Sequence, residues 1–400
     1  MGWLVYRLTN SAFLLGVVAF AGQSPVFFLG PIAGVIADRA NRHRVVVAMQ
    51  ALMMIQATVL AALVFTGSVE YWHVLLLSAV FGIINAFEIP ARQAFLLEMV
   101  KSREDLPNAI ALNSSIFNGA RLIGPAIAGF VIAGWGESVA FISNAVSYVA
   151  VLIALLAMEV ERLPSKRIRG RVFASLRAGF AYGFGFLPIR LVLNLVAAAA
   201  LFGVPFTVLL PVFAVEILHG DARTLGFLMS ATGVGALSGA LFLAARETVR
   251  GLSKVITACA LLFGASLIVF GLSRVLWLSL VTLAIAGFGM MVLMAASNTF
   301  LQTVADDDKR GRIVSMYTMS YIGLAPFGSL LAGAFAQRVT APVTIALGGI
   351  SVMVAAGLFA RHIPQFRELV RPIYRQLGII PEVATGIQAA THLTTPPEQQ

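Results

Sequence analysis

Glu88 and Arg92 stand four residues apart inside an apolar run from 71 to 99, and Arg121 stands about 14 residues into the next run, 106 to 136. An ionised side chain at the centre of a lipid-embedded helix costs about 2.5–3.5 kcal/mol on insertion scales, so such groups turn toward the protein interior and pair. Residues i and i+4 share a helix face, and Pro90 between them leaves a backbone carbonyl without its usual donor. Proton titration is the chemistry open to this set. Burial penalises a carboxylate and a nearby guanidinium favours it, and the balance is reset when water enters or a helix moves. Glu88 is therefore the candidate proton-titrating group, with Arg92 or Arg121 as the competing cation. A permanent Glu88-to-Arg ion pair that only locks two helices uses the same residues.

Other chemistry finds little support. The five histidines (His43, His73, His219, His362 and His392) are scattered through loops and run ends without metal-ligand spacing. The single cysteine, Cys259, lies inside an apolar run, so neither an internal disulfide nor a thiolate metal site can be assembled. No G-x-S-x-G, G-x-x-x-x-G-K-[ST] or H-E-x-x-H occurs. An enzyme reading has no residues to stand on, and no cofactor or metal is called for.

The elements that would hold these residues are membrane spans. Between Leu8 and Ala360 lie eleven apolar stretches, each near the ~20 residues that a helix needs to cross ~30 Å of hydrocarbon. Residues are 59% hydrophobic and 12% charged, with mean hydropathy +0.90; a water-soluble helical protein would instead show one charged face per helix. Of the 28 Lys and Arg, 22 fall in the alternate gaps 38–44, 100–105, 159–190, 246–254 and 306–312 and in the tail after Ala360. The other gaps hold Arg7, Arg223, Arg274 and Arg338. By the positive-inside rule the first set of gaps faces the cytoplasm. The net charge of +10 therefore reports orientation and contact with anionic lipid, and no nucleic-acid partner is expected.

The chain divides at its longest charged interruption, 159–190, into an N-terminal half (1–158) and a C-terminal half (191–360), followed by a cytoplasmic tail (361–400) whose end reads as disordered. Within the interruption, 172–188 reads as an amphipathic helix on the membrane surface. Sliding the second half back by 204 or 205 residues lays Gly323, Gly328 and Gly333 on Gly119, Gly124 and Gly129, and Gly235 and Gly239 on Gly30 and Gly34. Parallel repeats of this kind belong to one large class of transporters. Symmetry asks for six spans in each half, yet the first has five complete ones, so residues 1–6 read as the stub of a first helix, with helices 2 to 6 following. A signal peptide is disfavoured, because no basic start precedes the apolar run. The small-residue positions are expected to make close helix contacts.

The segment Gly34 to Val46, G-V-I-A-D-R-A-N-R-H-R-V-V, resembles the signature loop between helices 2 and 3 of the major facilitator superfamily, through Gly34, Asp38, Arg39 and Arg42. Asn41 stands where a glycine is usual; asparagine tolerates the left-handed conformation, so the tight turn is expected to persist. The resemblance implies that Asp38 latches the outward-facing form, meeting the start of another helix near Arg312, where an anion is worth roughly 0.3–2 kcal/mol. N-A-F-E-I-P-A-R-Q-A-F at 85–95 and A-R-L-I-G-P-A-I-A-G at 120–129 are similar to the bacterial exporter family that includes the enterobactin exporter and macrolide efflux proteins. Gly124, Pro125 and Gly129 also resemble the helix 5 element of drug:proton antiporters.

The resemblance implies an all-helical major facilitator fold of two pseudo-symmetric six-helix halves, monomeric, in the bacterial inner membrane with the C-terminus cytoplasmic. Helices 1, 4, 7 and 10 line the cavity in that architecture, which favours Asn85, Asn194 and Asn298 as cargo contacts. The implied function is export of a small amphipathic molecule, of the drug or siderophore class, in exchange for protons by alternating access. An uptake carrier or an uncoupled facilitator on the same fold is the alternative.

Overall fold

The computed structural model describes residues 1–100, 104–158, 185–246, 248–306 and 309–376; Asp38, Arg39 and Arg121 are described in backbone only. Most of the surface helix expected at 172–188 and the end of the tail lie outside the described residues. Thirteen helices follow one another among the described residues: α1 (Gly2–Thr9), α2 (Ala12–Arg39), α3 (Arg42–Phe65), α4 (Tyr71–Met99), α5 (Leu106–Trp135), α6 (Glu137–Leu156), α7 (Leu187–Ile217), α8 (Ala222–Ala244), α9 (Leu252–Leu272), α10 (Leu276–Val304), α11 (Arg310–Arg338), α12 (Ala341–Arg361) and α13 (Ile363–Gln376). Ten of them are long and apolar enough to cross a membrane, and α5 adds a further 30-residue helix. Ile116, Ile123 and Ile127 on α5 and Phe28 and Ile32 on α2 are each more than half exposed, which suits lipid and not water.

Helix boundaries follow local chemistry. Ser11 caps α2 by accepting the Leu14 N–H at 3.3 Å, and Asp221 caps α8 by accepting from Arg223 and Thr224. Asn41 departs from expectation: its backbone is extended (φ −69°, ψ 109°), and its side chain caps α3 by accepting the Arg44 N–H at 3.0 Å. The asparagine thus serves as a helix cap, where a glycine would supply no side-chain acceptor. The left-handed asparagine is Asn10 (φ 45°), which closes α1.

Within the first half, α2 packs on α4, and α3 on α4 and α6; within the second, α8 packs on α10, and α9 on α10 and α12. The second half holds a dense aromatic core, with Phe213, Phe263, Phe270 and Phe300 fully buried and the Phe213 and Phe270 rings stacked 4.2 Å apart. The halves meet chiefly through α2 against α11 and α5 against α8. Two helices carry π-type turns, at Ala199–Gly203 and Phe213–Ile217 in α7 and at Met319–Gly323 in α11. Pro205 removes one donor from α7, and the Leu201 carbonyl four residues earlier approaches α11 so closely that a Cβ on Gly328 would lie 2.4 Å from it.

Candidate functional site: a two-lobed gate

The α2–α11 and α5–α8 crossings are both tightly closed at one end of the bundle, and the α2–α11 crossing opens toward the other. Near the ends that carry Arg7, Glu137 and Asp221, backbones touch: a Cβ on Gly16 would lie 2.7 Å from the Ser329 carbonyl oxygen, and one on Gly129 would lie 2.7 Å from that of Ala222. Gly333 and Gly226 complete the two crossings from the other half, and the Pro125 carbonyl abuts Gly226. Aromatic contacts continue the first seam toward mid-span, with Phe20–Phe327 and Phe27–Phe327 ring centroids 5.4 and 6.2 Å apart. Gly34 lies eighteen residues, or five turns, beyond Gly16 and so on the same face of α2, yet among the described residues a Cβ on it would meet nothing within 4 Å. Among the described residues, a Cβ on Gly30, Gly119 or Gly124 likewise would meet nothing within 4 Å. The expectation of close packing therefore holds at Gly129, Gly235, Gly239, Gly323, Gly328 and Gly333 and fails at these four: α2 parts from α11 toward the basic end, and Gly119 and Gly124 lie on faces of α5 other than the one that Gly129 turns to α8.

Polar bonds across the halves reinforce the closed end. The Tyr6 hydroxyl of α1 donates to the Glu216 carboxylate of α7, and the Ser11 hydroxyl donates to the Gln337 side-chain oxygen at 2.9 Å. Arg7 lies 2.7 Å from the buried Glu137 carboxylate, an ion contact within the first half without an aligned hydrogen bond. A cavity of about 570 Å³, lined in part by Arg7, Glu137 and Asp221, sits beside this closure.

Glu88 is buried inside the first half. Arg92 Nε lies 2.8 Å from its Oε1, Gln50 of α3 donates to the same oxygen at 3.3 Å, and Tyr148 of α6 lies within its electrostatic reach. The carboxylate therefore addresses α3 and α6, and Arg92 extends from it to a partly exposed position. The Arg121 side chain lies outside the described residues, so its relation to Glu88 does too. At the signature loop the side chains of Asp38 and Arg39 lie outside the description as well, whereas Arg42 Nη1 meets Glu98 Oε1 of α4 at 2.7 Å. Arg42→Gln is expected to lower thermal stability by on the order of 1 kcal/mol, because the pair is largely shielded but short of full burial; an unshifted melting temperature would show that the pair holds nothing together.

The three asparagines occupy different settings. Asn85 donates to the Phe81 carbonyl of its own helix, Asn298 accepts from Gln302 at 3.1 Å, and Asn194 is exposed between buried Leu193 and Leu195. Sequence reasoning missed Glu98, Gln50 and Glu216. Glu216 falls one residue past the charge-free stretch that ends at 215, and only its partner on α1 gives it a role.

Comparison with known proteins fits this architecture. A family model described as "Transmembrane secretion effector" matches residues 1–372. The chain is 25% identical over 362 residues to the staphyloferrin A transporter of Staphylococcus aureus, covering 90% of each chain. It is 26% identical to the multidrug efflux pump Tap of Mycolicibacterium fortuitum (92% and 91% covered) and 24% identical to the macrolide efflux protein A of Streptococcus pyogenes (90% and 90%). A crystal structure of the nucleoside transporter NupG superimposes with TM-score 0.69 over 90% of this chain and 93% of that one at 13% identity, a likeness of fold. A chain matched over nearly its whole length, with two helical lobes closed on each other at one end, belongs to the transmembrane secretion effector family of major facilitator superfamily transporters.

Proposed function

We propose that this transporter exports a small amphipathic molecule, of the drug or siderophore class, in exchange for protons by alternating access across the bacterial inner membrane. The observation that carries the reading is the opening of the α2–α11 crossing at one end only: Gly16 abuts Ser329, whereas Gly30 and Gly34 on the same face meet nothing within 4 Å among the described residues. The loops at that end belong to the sequence gaps that hold 22 of the 28 basic residues, which supports a cytoplasmic position for it and for the C-terminus. The conformation then opens to the side from which an exporter takes its cargo. The names of the relatives, a staphyloferrin A transporter and multidrug and macrolide efflux proteins, support the direction and the class.

In this scheme Gly30 and Gly34, unpartnered among the described residues, become the contact points of α2 when the basic end closes, and Asp38 latches that closed form. Asn85, Asn194 and Asn298 contribute cargo contacts from α4, α7 and α10. Glu88 carries the proton, with Arg92 and Arg121 competing for it.

Liposomes containing only this chain test the reading. With a pH gradient imposed, an amphipathic cation such as ethidium is expected to move against its own gradient, at least tenfold faster than in empty liposomes, with matching proton flux. Movement down its gradient alone, indifferent to pH, would establish an uncoupled facilitator instead.

A further inference from the structure

At the basic end, α13 lies across the bundle with Phe366, Val370 and Tyr374, one turn apart from each other, buried beneath it. Phe366 packs on Phe300 of α10 and Phe359 of α12, with ring centroids 4.8 and 5.6 Å apart, which fixes the helix against the spans. Between α13 and the start of α9 is a cavity of about 360 Å³. Arg250 and Lys254 enter it from the α9 side, Arg367 and Arg371 from the α13 side, and among the described residues no carboxylate lines it. Among the described residues none of the four cations pairs with an acid. Four like charges around one small space repel one another and focus a positive potential into it, an arrangement that an anion relieves.

A second, independent feature points the same way. Ser253 also lines the cavity, is 94% buried (6% exposed), and its hydroxyl has no hydrogen-bond partner among the described residues. The first turn of α9 carries no side-chain cap, so the positive end of that helix faces the same space. Burial pushes the Tyr374 phenol up to about 12, which keeps it a neutral hydrogen-bond donor beside an anion. The floor is apolar and the site adjoins the point where α9 enters the membrane, so a ligand with acyl chains fits better than a free ion.

We propose that this cavity binds the phosphodiester headgroup of an anionic phospholipid from the adjoining leaflet, pinning α13 to the second half. Basic pockets at this depth recognise lipid headgroups by the same forces. Native mass spectrometry of the full chain, purified with phosphatidylglycerol and phosphatidylcholine at equal concentrations, tests it. We expect one phosphatidylglycerol retained per chain, about thirtyfold weaker retention in Arg367→Gln/Arg371→Gln, and near-normal retention in Arg367→Lys/Arg371→Lys, which keeps the charge and controls for folding. Equal retention of the two lipids, or equal retention by the wild type and the glutamine variant, would overturn the proposal. So would displacement of the lipid by millimolar inorganic phosphate, which would make this a site for free anions.

Discussion

Replacing Gly16 or Gly129 with leucine is expected to reduce transport more than tenfold and to force open the end of the bundle that is closed here. At each position a Cβ would already lie 2.7 Å from a carbonyl oxygen of the facing helix, and backbone cannot yield as a side-chain tip can. Overpacking of this kind costs about 1–3 kcal/mol, paid only in the conformation that has the contact, and about 3 kcal/mol shifts a two-state equilibrium roughly 150-fold. Gly34→Leu acts in the opposite sense. It meets nothing within 4 Å here but obstructs closure of the basic end, so transport falls while this conformation becomes more populated; Asp38→Asn should bias the equilibrium the same way by removing the latch. Spin labels at the exposed Thr66 and Arg274, one on each half, report the difference in a Cys259→Ser background. Their separation should widen in Gly16→Leu and stay narrow in Gly34→Leu. Identical distance distributions in all variants would remove the rocking motion from the account.

The second large effect concerns Glu88. Glu88→Gln should abolish exchange driven by a pH gradient while leaving the protein folded and abundant, because glutamine can accept from Gln50 and Arg92 but carries no titratable proton. Arg92→Ala leaves a buried carboxylate without its cation and should destabilise the chain by roughly 2–3 kcal/mol. The double variant separates a proton carrier from a helix lock. If the pair is only a lock, removing both charges restores stability and transport together; if Glu88 carries the proton, stability returns and coupled exchange does not. Proton release on addition of cargo, persisting in Glu88→Gln, would eliminate Glu88 from that role.

Several features were legible without coordinates because they are set by short stretches of chain. The apolar length of each span reads directly from residue type, as does the bias of basic residues to alternate gaps. Glu88 and Arg92 meet because a helix returns to the same face after four residues. The fold class follows from these, since lipid tolerates only segments that satisfy their own backbone groups.

What the tertiary structure alone decided is which surfaces touch and in which state. Arg42 and Glu98 are 56 residues apart, Tyr6 and Glu216 are 210 apart, and Ser11 and Gln337 are 326 apart; no local periodicity links such positions. Gly16 and Gly34 are alike in the sequence and lie on one helix face, yet one is pressed against backbone and the other faces open space. The difference is how α2 and α11 diverge along their length, a property of the assembled bundle. Asn41 makes the same point on a smaller scale: its residue type is compatible with a turn or a cap, and the extended entry into α3 selects the cap.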